Sequence, residues 1–382
     1  MAEGRQAELV VVGGGIIGLA VAWRAAQAGR SVCLLESRRT GAGTSRVAAG
    51  MLAPVAEVEF GPAGRSMLEL GLRSAGMWPA FAEELQAGTG IEIPLRRTGT
   101  LLLARDEDEV LELERQLELR SSLGLAVVRL RASEARAREP ALAPTLRLAL
   151  EAPEDHAVDP RPVLEALRAA CARAGVEIRE HATVAGVETA GGRVAGVVLA
   201  GGERIAAPTV VAACGPWTSK LGGLDGALVP VRPVKGQILR LRDPLGSGLL
   251  SRVIRFEGGY IVPRGDGRYV LGATVEERGF ELGATAGGVY ELLKEAHELL
   301  PGIAELEIEE LSVGLRPGTP DNLPAVGPGA VEGLIWATGH YRNGILMAPL
   351  TAELVRGLLP GGSGQVPAGS DPARFAAAVL AG

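Results

Sequence analysis

The sequence is poor in the residues that form disulfides, metal sites and aromatic binding surfaces. Its 382 residues include three cysteines, four histidines and only 3% aromatic side chains. The cysteines are widely spaced and form no CxxC pattern, which indicates buried free thiols rather than a disulfide framework. The histidines have no metal-ligand spacing, so we predict no bound metal. So few aromatic residues also argue against a base-stacking surface.

The chain also lacks an excess of positive charge and long hydrophobic runs. Its formal net charge is −6, which argues against a nucleic-acid partner held by phosphate contacts. Because no run of about 18 uncharged apolar residues is present and the first residues do not resemble a signal peptide, we expect no membrane association. The hydrophobic fraction of 47% is enough for a sizeable core. These features predict a soluble, cytoplasmic protein.

The first forty residues predict a dinucleotide-binding βαβ unit. The apolar run at 9–12 is typical of a buried parallel strand, and it leads into the motif G-x-G-x-x-G. Its glycines, Gly13, Gly15 and Gly18, permit a tight turn, close approach of a pyrophosphate, and helix–strand packing. Glu36 ends the second strand, where a carboxylate can accept hydrogen bonds from ribose hydroxyls. We therefore expect a dinucleotide at the start of the first helix.

Two further glycine-rich segments favour FAD over NAD. A loop of small residues at 38–51 follows the second strand, where an NAD-binding domain would usually continue into another regular unit. Near its C-terminus the chain has a second strand-to-helix turn, at 340–346. A helix N-terminus at the pyrimidine end of a flavin would stabilise the anion that forms on reduction.

Two kinds of hydrophobic pattern predict two domains. Strand and helix patterns alternate up to about residue 225 and again after Arg316, whereas residues 229–311 contain alternating strands typical of antiparallel sheet. We predict an α/β (α+β two-domain) fold, with a Rossmann-like FAD-binding domain assembled from separated segments and a mainly antiparallel β-sheet substrate domain. The predicted FAD-binding domain comprises residues 1–85, 150–225 and 315–382, and the predicted substrate-binding domain comprises residues 86–149 and 226–314.

Six segments of the sequence resemble the D-amino-acid oxidase superfamily of FAD-dependent oxidoreductases, and within it the glycine oxidases of thiamine biosynthesis. In order, they are GGGIIGLAVA, GTSRVAAGMLAP, KGQILRL, YIVPR, VGLRPGTPD and ATGHYRNGIL. The resemblance extends from about residue 8 to residue 358. It implies oxidative deamination of glycine, sarcosine and small D-amino acids, with release of hydrogen peroxide from dioxygen. It also implies a homotetramer and a thiazole synthase partner that takes the imine product.

The same resemblance implies the residues of the site. Arg316 would pair with the substrate carboxylate, as a planar and permanently charged group can. Tyr260 would help to hold that carboxylate through its hydroxyl, and Arg342 would be a second substrate contact. Non-covalent FAD contacts would fall on the motif glycines and on Ile16, Ile17, Glu36, Ser37, Thr44, Ser45, Ala49, Gly50, Met51, Val184, His340, Tyr341, Arg342, Asn343, Gly344, Ile345 and Leu346.

Substrate selection and the electron acceptor leave alternatives open. Crowding over the flavin by Met51, Leu52 and Ala53 would select a small amine. Val275 stands where family members often carry methionine, which reshapes the expected pocket. The alternatives are a D-amino-acid dehydrogenase that passes electrons to a quinone, and a non-catalytic FAD-bound subunit. The chain has no apolar or basic stretch for membrane docking, and an intact Arg316 argues against the subunit.

Overall fold

The computed structural model describes residues 7–224, 227–246 and 248–375. The α-helices in these residues are α1 (Ile16–Gln27), α2 (Thr44–Val47), α3 (Gly61–Thr89), α4 (Glu107–Ser122), α5 (Ala132–Arg138), α6 (Pro160–Arg173), α7 (Ala286–Leu299) and α8 (Ala348–Leu358). The strands are β1 (Leu9–Val12), β2 (Val32–Leu35), β3 (Met51–Leu52), β4 (Leu95–Arg96), β5 (Thr100–Ala104), β6 (Val128–Arg131), β7 (Leu148–Ala152), β8 (His156–Val158), β9 (Glu177–Arg179), β10 (Val184–Ala190), β11 (Arg193–Leu199), β12 (Arg204–Ala206), β13 (Thr209–Ala212), β14 (Arg232–Arg242), β15 (Val253–Phe256), β16 (Gly259–Pro263), β17 (Arg268–Gly272), β18 (Glu307–Gly318), β19 (Ala325–Pro328) and β20 (Leu334–Thr338).

A six-stranded sheet forms the first half of the molecule, with strand order β19-β20-β13-β1-β2-β9. All neighbours are parallel except β19 and β20. Successive side chains of β1 point to opposite faces: Val11 packs among residues of α1, α3, α6 and α8, whereas Val10 packs against the small sheet β10-β11-β12. The strands are therefore buried on both faces, which explains their continuous apolar sequences.

An eight-stranded sheet forms the second half, with strand order β18-β14-β17-β16-β15-β5-β7-β6. Its neighbours are antiparallel except β15 and β5. One face packs against α5 and α7, and the opposite face carries Ile238, Val262 and Val270 toward the first half of the molecule. This combination of a Rossmann-like sheet and a mainly antiparallel sheet confirms the predicted fold class.

Several local predictions need correction or stay predictions. Three predicted domain boundaries, at 85/86, 149/150 and 314/315, fall inside α3, β7 and β18, and the fourth, at 225/226, lies outside the described residues. The division into domains stays a prediction. The helix that follows the turn predicted at 340–346 begins at Ala348, because the turn extends to the residue before it. The 29-residue helix α3 was not predicted. No helix within the described residues is both long and apolar enough to cross a bilayer.

Candidate active site

A cavity of about 680 Å³ lies between the two large sheets. On one side it is lined by the last residues of β1 and β2, Val12 and Leu35, and by the start of α1. On the other side it is lined by residues of β14, β15, β16 and β18. The carboxyl ends of parallel strands are where nucleotides bind in such sheets.

The N-terminus of α1 faces this cavity. Its N-cap residue, Gly15, offers no capping side chain, and the first turn contains no acidic residue. The Ile16 N–H donates to Ser45 Oγ at 3.1 Å. Gly18 does not line the cavity. A Cβ at this position would lie 1.8 Å from the carbonyl oxygen of Gly13, so only glycine fits there. Its role is to let α1 pack closely, while the helix N-terminus, which faces the cavity, can bind an anion.

Glu36 lies at the end of β2 and lines the same cavity. Its carboxylate accepts hydrogen bonds from the N–H groups of Gly14, at 2.8 Å, and Arg38, at 2.9 Å. Val184 lines this end as predicted, together with Trp217, whose ring lies 5.5 Å from the Arg38 guanidinium. Arg38 and Trp217 were not among the predicted site residues, although the A-x-G-x-W pattern after β13 was a signal for the tryptophan.

Residues 43–51, the second part of the small-residue loop predicted at 38–51, are hydrogen-bonded to the eight-stranded sheet and the residue that follows β16. Thr44 Oγ1 donates to the carbonyl of Leu315 at 2.7 Å, and Arg264 Nη2 donates to the carbonyl of Ala49 at 2.8 Å. Those bonds fix the loop between the two halves of the molecule. Its residues in the cavity wall are Gly43, Thr44, Ser45, Val47, Ala48, Ala49, Gly50 and Met51.

The C-terminal turn lines the cavity with five of its seven predicted residues. His340, Tyr341, Arg342, Gly344 and Ile345 are in the wall. The His340 ring is buried and bonds Thr351 at 2.9 Å through Nε2; burial lowers its pKa from 6.5 to about 3, so the imidazole is neutral.

Two residues of that turn do not line the cavity. They are Asn343 and Leu346. The carbonyl of Leu346 instead accepts hydrogen bonds from Ser74 Oγ, at 2.6 Å, and Trp78 Nε1, at 2.9 Å. These contacts tie the turn to α3, so Leu346 has a structural role here.

Arg316 extends into the cavity from β18. Its Nη1 donates to the carbonyls of Thr274, at 3.0 Å, and Lys235, at 3.3 Å. The guanidinium passes over Gly236, where a Cβ would lie 2.5 Å from Nη1. Any larger residue at 236 would therefore displace the Arg316 guanidinium from its position over β14.

Tyr260 lies near Arg316 in the same wall. Burial raises the pKa of its hydroxyl, while the Arg316 guanidinium acts in the opposite direction without overcoming it. The phenol thus stays protonated and can donate a hydrogen bond. Two predicted substrate-binding groups, one cation and one neutral donor, are brought together on one sheet.

Comparison with known proteins identifies the family. Residues 8–358 match the family model described as FAD dependent oxidoreductase (DAO). The chain belongs to this family. Its members are FAD-dependent, and the cavity of this DAO-family protein fits that cofactor. It is long enough to extend from Glu36 to the C-terminal turn, and the glycine-rich N-terminus of α1, which has no acidic residue in its first turn, faces it and can bind a pyrophosphate.

Two relatives and one solved structure illustrate the relationship. The chain is 37% identical to the glycine oxidase of Geobacillus kaustophilus over 355 residues, 92% of each chain. It is 37% identical to the bifunctional protein ThiO/ThiG of Synechocystis sp. over 358 residues, 92% of this chain but only 51% of that protein. The crystal structure of glycine oxidase from Geobacillus kaustophilus superposes with a TM-score of 0.89 at 35% identity, covering 95% of this chain and 97% of that one.

Several features of this DAO-family cavity were not predicted from the sequence. Leu52 and Ala53, expected to crowd the flavin, lie in hydrophobic clusters and do not line the cavity. Val275 does line it and is 60% exposed. Charged side chains appear instead in the wall, above all Glu57 and Arg255. No sequence motif marks these two residues, because their positions depend on how distant segments pack.

Proposed function

We propose that this protein oxidises glycine to glyoxylate, and also accepts sarcosine and small D-amino acids, with dioxygen as the electron acceptor. The observation that carries the proposal is the placement of Arg316 and Tyr260 in the same cavity as the dinucleotide-binding turn. An arginine and a neutral phenol suit a carboxylate. The name of the Geobacillus kaustophilus relative, glycine oxidase, supports the same substrate.

We assign the FAD-binding role to residues of four segments. The N-terminus of α1 would bind the pyrophosphate, Glu36 the ribose of the adenosine, and Val184 the adenine. The loop at 43–51 and the turn at 340–345 would flank the flavin ring. Because the pKa of Cys214 is raised to about 12 by burial and by the nearby Glu36, the thiol beside this cavity stays protonated, which is consistent with non-covalent FAD.

The chain's own contribution to the reaction is binding and orientation. Arg316 would hold the substrate carboxylate, and the two carbonyls on its Nη1 would keep the guanidinium in place. Tyr260 would donate to the same carboxylate, and Arg342 would be a second substrate contact. Bound FAD supplies the redox chemistry by accepting a hydride from the substrate Cα and passing two electrons to dioxygen.

The overall reaction balances with the amine, dioxygen and water as its reactants. The neutral amine loses two electrons and two protons and becomes an imine, and dioxygen gains both and becomes hydrogen peroxide. Water then hydrolyses the glycine imine to glyoxylate and ammonia. Catalysis by position and electrostatics explains why the motifs contain no obvious general base.

A partner, an assembly and a location complete the proposal. The match to half of a bifunctional ThiO/ThiG protein supports an associated thiazole synthase that receives the imine. The homotetramer rests on the family resemblance. The cytoplasmic location rests on the composition, and the two-domain division on the sequence pattern.

The test is peroxide release by the purified, FAD-loaded protein. Glycine, sarcosine, D-alanine and D-proline are compared at equal concentrations, with apoprotein as the control, and flavin absorbance is followed without oxygen in parallel. Glycine should give peroxide with the highest kcat/KM. Bleaching without peroxide would favour the quinone-linked dehydrogenase, and no bleaching with any of the four amines would overturn the substrate class.

A further inference from the structure

An ion pair lies inside the cavity wall beside the proposed carboxylate site. Arg255 Nη1 and Glu57 Oε1 are 2.5 Å apart, and both residues line the cavity. Their side chains are 24% and 11% exposed. A charge pair with so little contact with solvent is shielded from competing water and ions, so it influences what can bind next to it.

The register of the second sheet places this pair next to Tyr260. Arg255 on β15 is the direct cross-strand partner of Tyr260 on β16. Directly opposed residues point to the same face, with their Cβ atoms about 5 Å apart. Consistent with this, the charges of both Glu57 and Arg255 affect the pKa of the Tyr260 hydroxyl. A substrate held by Tyr260 and Arg316 therefore has Arg255 as a neighbour.

The position of Glu57 is built into the fold rather than left to a flexible side chain. Asp155 accepts hydrogen bonds from the N–H groups of Val55, at 3.1 Å, and Ala56, at 2.6 Å. Arg120 donates to the carbonyls of the same two residues, at 2.9 and 2.8 Å. Asp155 and Arg120 are both fully buried. Two buried polar side chains thus hold the main chain immediately before Glu57.

The charges in the cavity wall show how the Arg255–Glu57 ion pair affects substrate binding. Arg342 forms an ion pair with Glu59, and Arg255 forms one with Glu57. A substrate with one carboxylate pairs with Arg316, and each of these three arginines then has an anionic partner. A second carboxylate near Tyr260 would meet an Arg255 that is already neutralised, and it would be repelled by Glu57.

We propose that Glu57 is a specificity-determining residue that excludes amines with a second acidic group. By occupying Arg255, it denies that group the cation it would otherwise bind. The substrate class is thereby restricted to small amines with a single carboxylate. This inference rests on the proposed function, because it takes Arg316 and Tyr260 as the site of the first carboxylate.

Binding of non-oxidisable ligands to the FAD-loaded protein tests the inference without turnover. Glycolate has one carboxylate and diglycolate has two, and their affinities are measured by calorimetry. In E57Q the affinity for diglycolate relative to glycolate should rise at least about tenfold, because Arg255 is freed. In the double variant E57Q/R255M this gain should disappear. E332Q, which removes the carboxylate of an exposed ion pair with Arg193, is the matched control and should not change the ratio.

The single variant R255M keeps the inference testable if E57Q does not fold. It leaves Glu57 as an unpaired anion, so the diglycolate-to-glycolate affinity ratio should fall. An unchanged ratio in E57Q, or a gain that persists in E57Q/R255M, would overturn the inference.

A turnover experiment separates this inference from the proposed function. The kcat/KM of E57Q for iminodiacetate, relative to that for glycine, should rise in parallel with the binding ratio. Wild-type protein that binds glycolate but does not oxidise glycine would contradict the proposed function and leave the binding result to decide the role of Glu57.

Discussion

At the scale of single residues, the proposed carboxylate site depends on how Arg316 is seated. Lys235 provides a carbonyl for the guanidinium, while its own buried ammonium lies 3.0 Å from Glu276 Oε2. Burial would raise the pKa of Glu276, but hydrogen bonds from Thr274, Gln237 and Lys235 outweigh it and lower the pKa to about 2. The carboxylate is ionised throughout the physiological range. The arginine therefore rests on a polar network that is already satisfied without substrate.

Replacement of Arg316 by lysine should impair glycine turnover while FAD stays bound. A lysine keeps the charge but cannot bond a carboxylate through a planar fork, nor donate to both supporting carbonyls in the same way. We expect kcat/KM for glycine to fall about 10- to 100-fold, in line with the loss of a charge-assisted hydrogen bond. The measurement is peroxide release combined with the flavin content from visible absorbance. R193K, a surface replacement of the same kind, is the control, and an unchanged kcat/KM in R316K would remove Arg316 from the site.

At the scale of helices and strands, sequence patterns predicted those elements whose signals are local. The βαβ unit at the N-terminus was predictable from its apolar strands and glycines. Helix α6 also carries a local signal, since Asp159 caps it by accepting from the Arg161 N–H. Helix α3 was not predicted, because it contains five glycines and an internal proline, Pro79, which disfavour a helix. It is stabilised by distant contacts instead, such as the hydrogen bonds from Ser74 and Trp78 to Leu346.

The candidate site was predictable to the extent that it follows strand ends and short motifs. Glu36 and the glycine-rich turn were recognisable because a known ligand geometry requires their spacing. Glu57 and Arg255 were not, because they are 198 residues apart in sequence and meet only through the packing of the 53–57 segment on β15. Charge partners of this kind depend on tertiary structure, which no local pattern encodes.

The contact between the C-terminal turn and α8 should make stability depend on pH. The pKa of His340 is about 3 in the folded protein and 6.5 ordinarily, so between these values the unfolded chain binds a proton that the folded protein does not. Stability from this group is complete above pH 6.5 and is lost as pH falls toward 3. At pH 5 the loss is about 2 kcal/mol.

Comparison of the wild type with H340Q isolates this contribution. The free energy of unfolding is measured in urea from pH 7.5 to pH 5, with saturating FAD. The glutamine can bond Thr351 but does not titrate, so the difference in stability between the two proteins should shrink or reverse as pH falls. H297Q removes an exposed histidine of α7 and should leave the pH dependence of the wild type unchanged. An H340Q curve parallel to that of the wild type would contradict a neutral buried imidazole.

At the scale of the whole molecule, the cavity joins two sheets that otherwise have separate cores. Residues of the six-stranded sheet, the 43–51 loop, the eight-stranded sheet and the C-terminal turn all contribute to its wall. A ligand that fills its length therefore adds contacts to both halves at once. FAD is therefore expected to stabilise the protein as a whole and not only the dinucleotide-binding turn.

Hydrogen exchange of the apoprotein with FAD or with ADP can test this role. FAD should slow exchange at 36–38, in the 43–51 loop and in the turn at 340–345, whereas ADP, which lacks the flavin, should protect 36–38 but not the turn. At ligand concentrations about 100-fold above Kd, either ligand contributes roughly 2.7 kcal/mol to global stability. Because this contribution is the same for both, a difference in exchange between the FAD and ADP samples reports the segments that each ligand contacts. Helix α4, none of whose residues lines the cavity, provides an internal control for protection that is global rather than local. Equal protection of the turn by both ligands would mean that the flavin does not lie beside it, and that the isoalloxazine ring and the substrate must be placed elsewhere in the cavity.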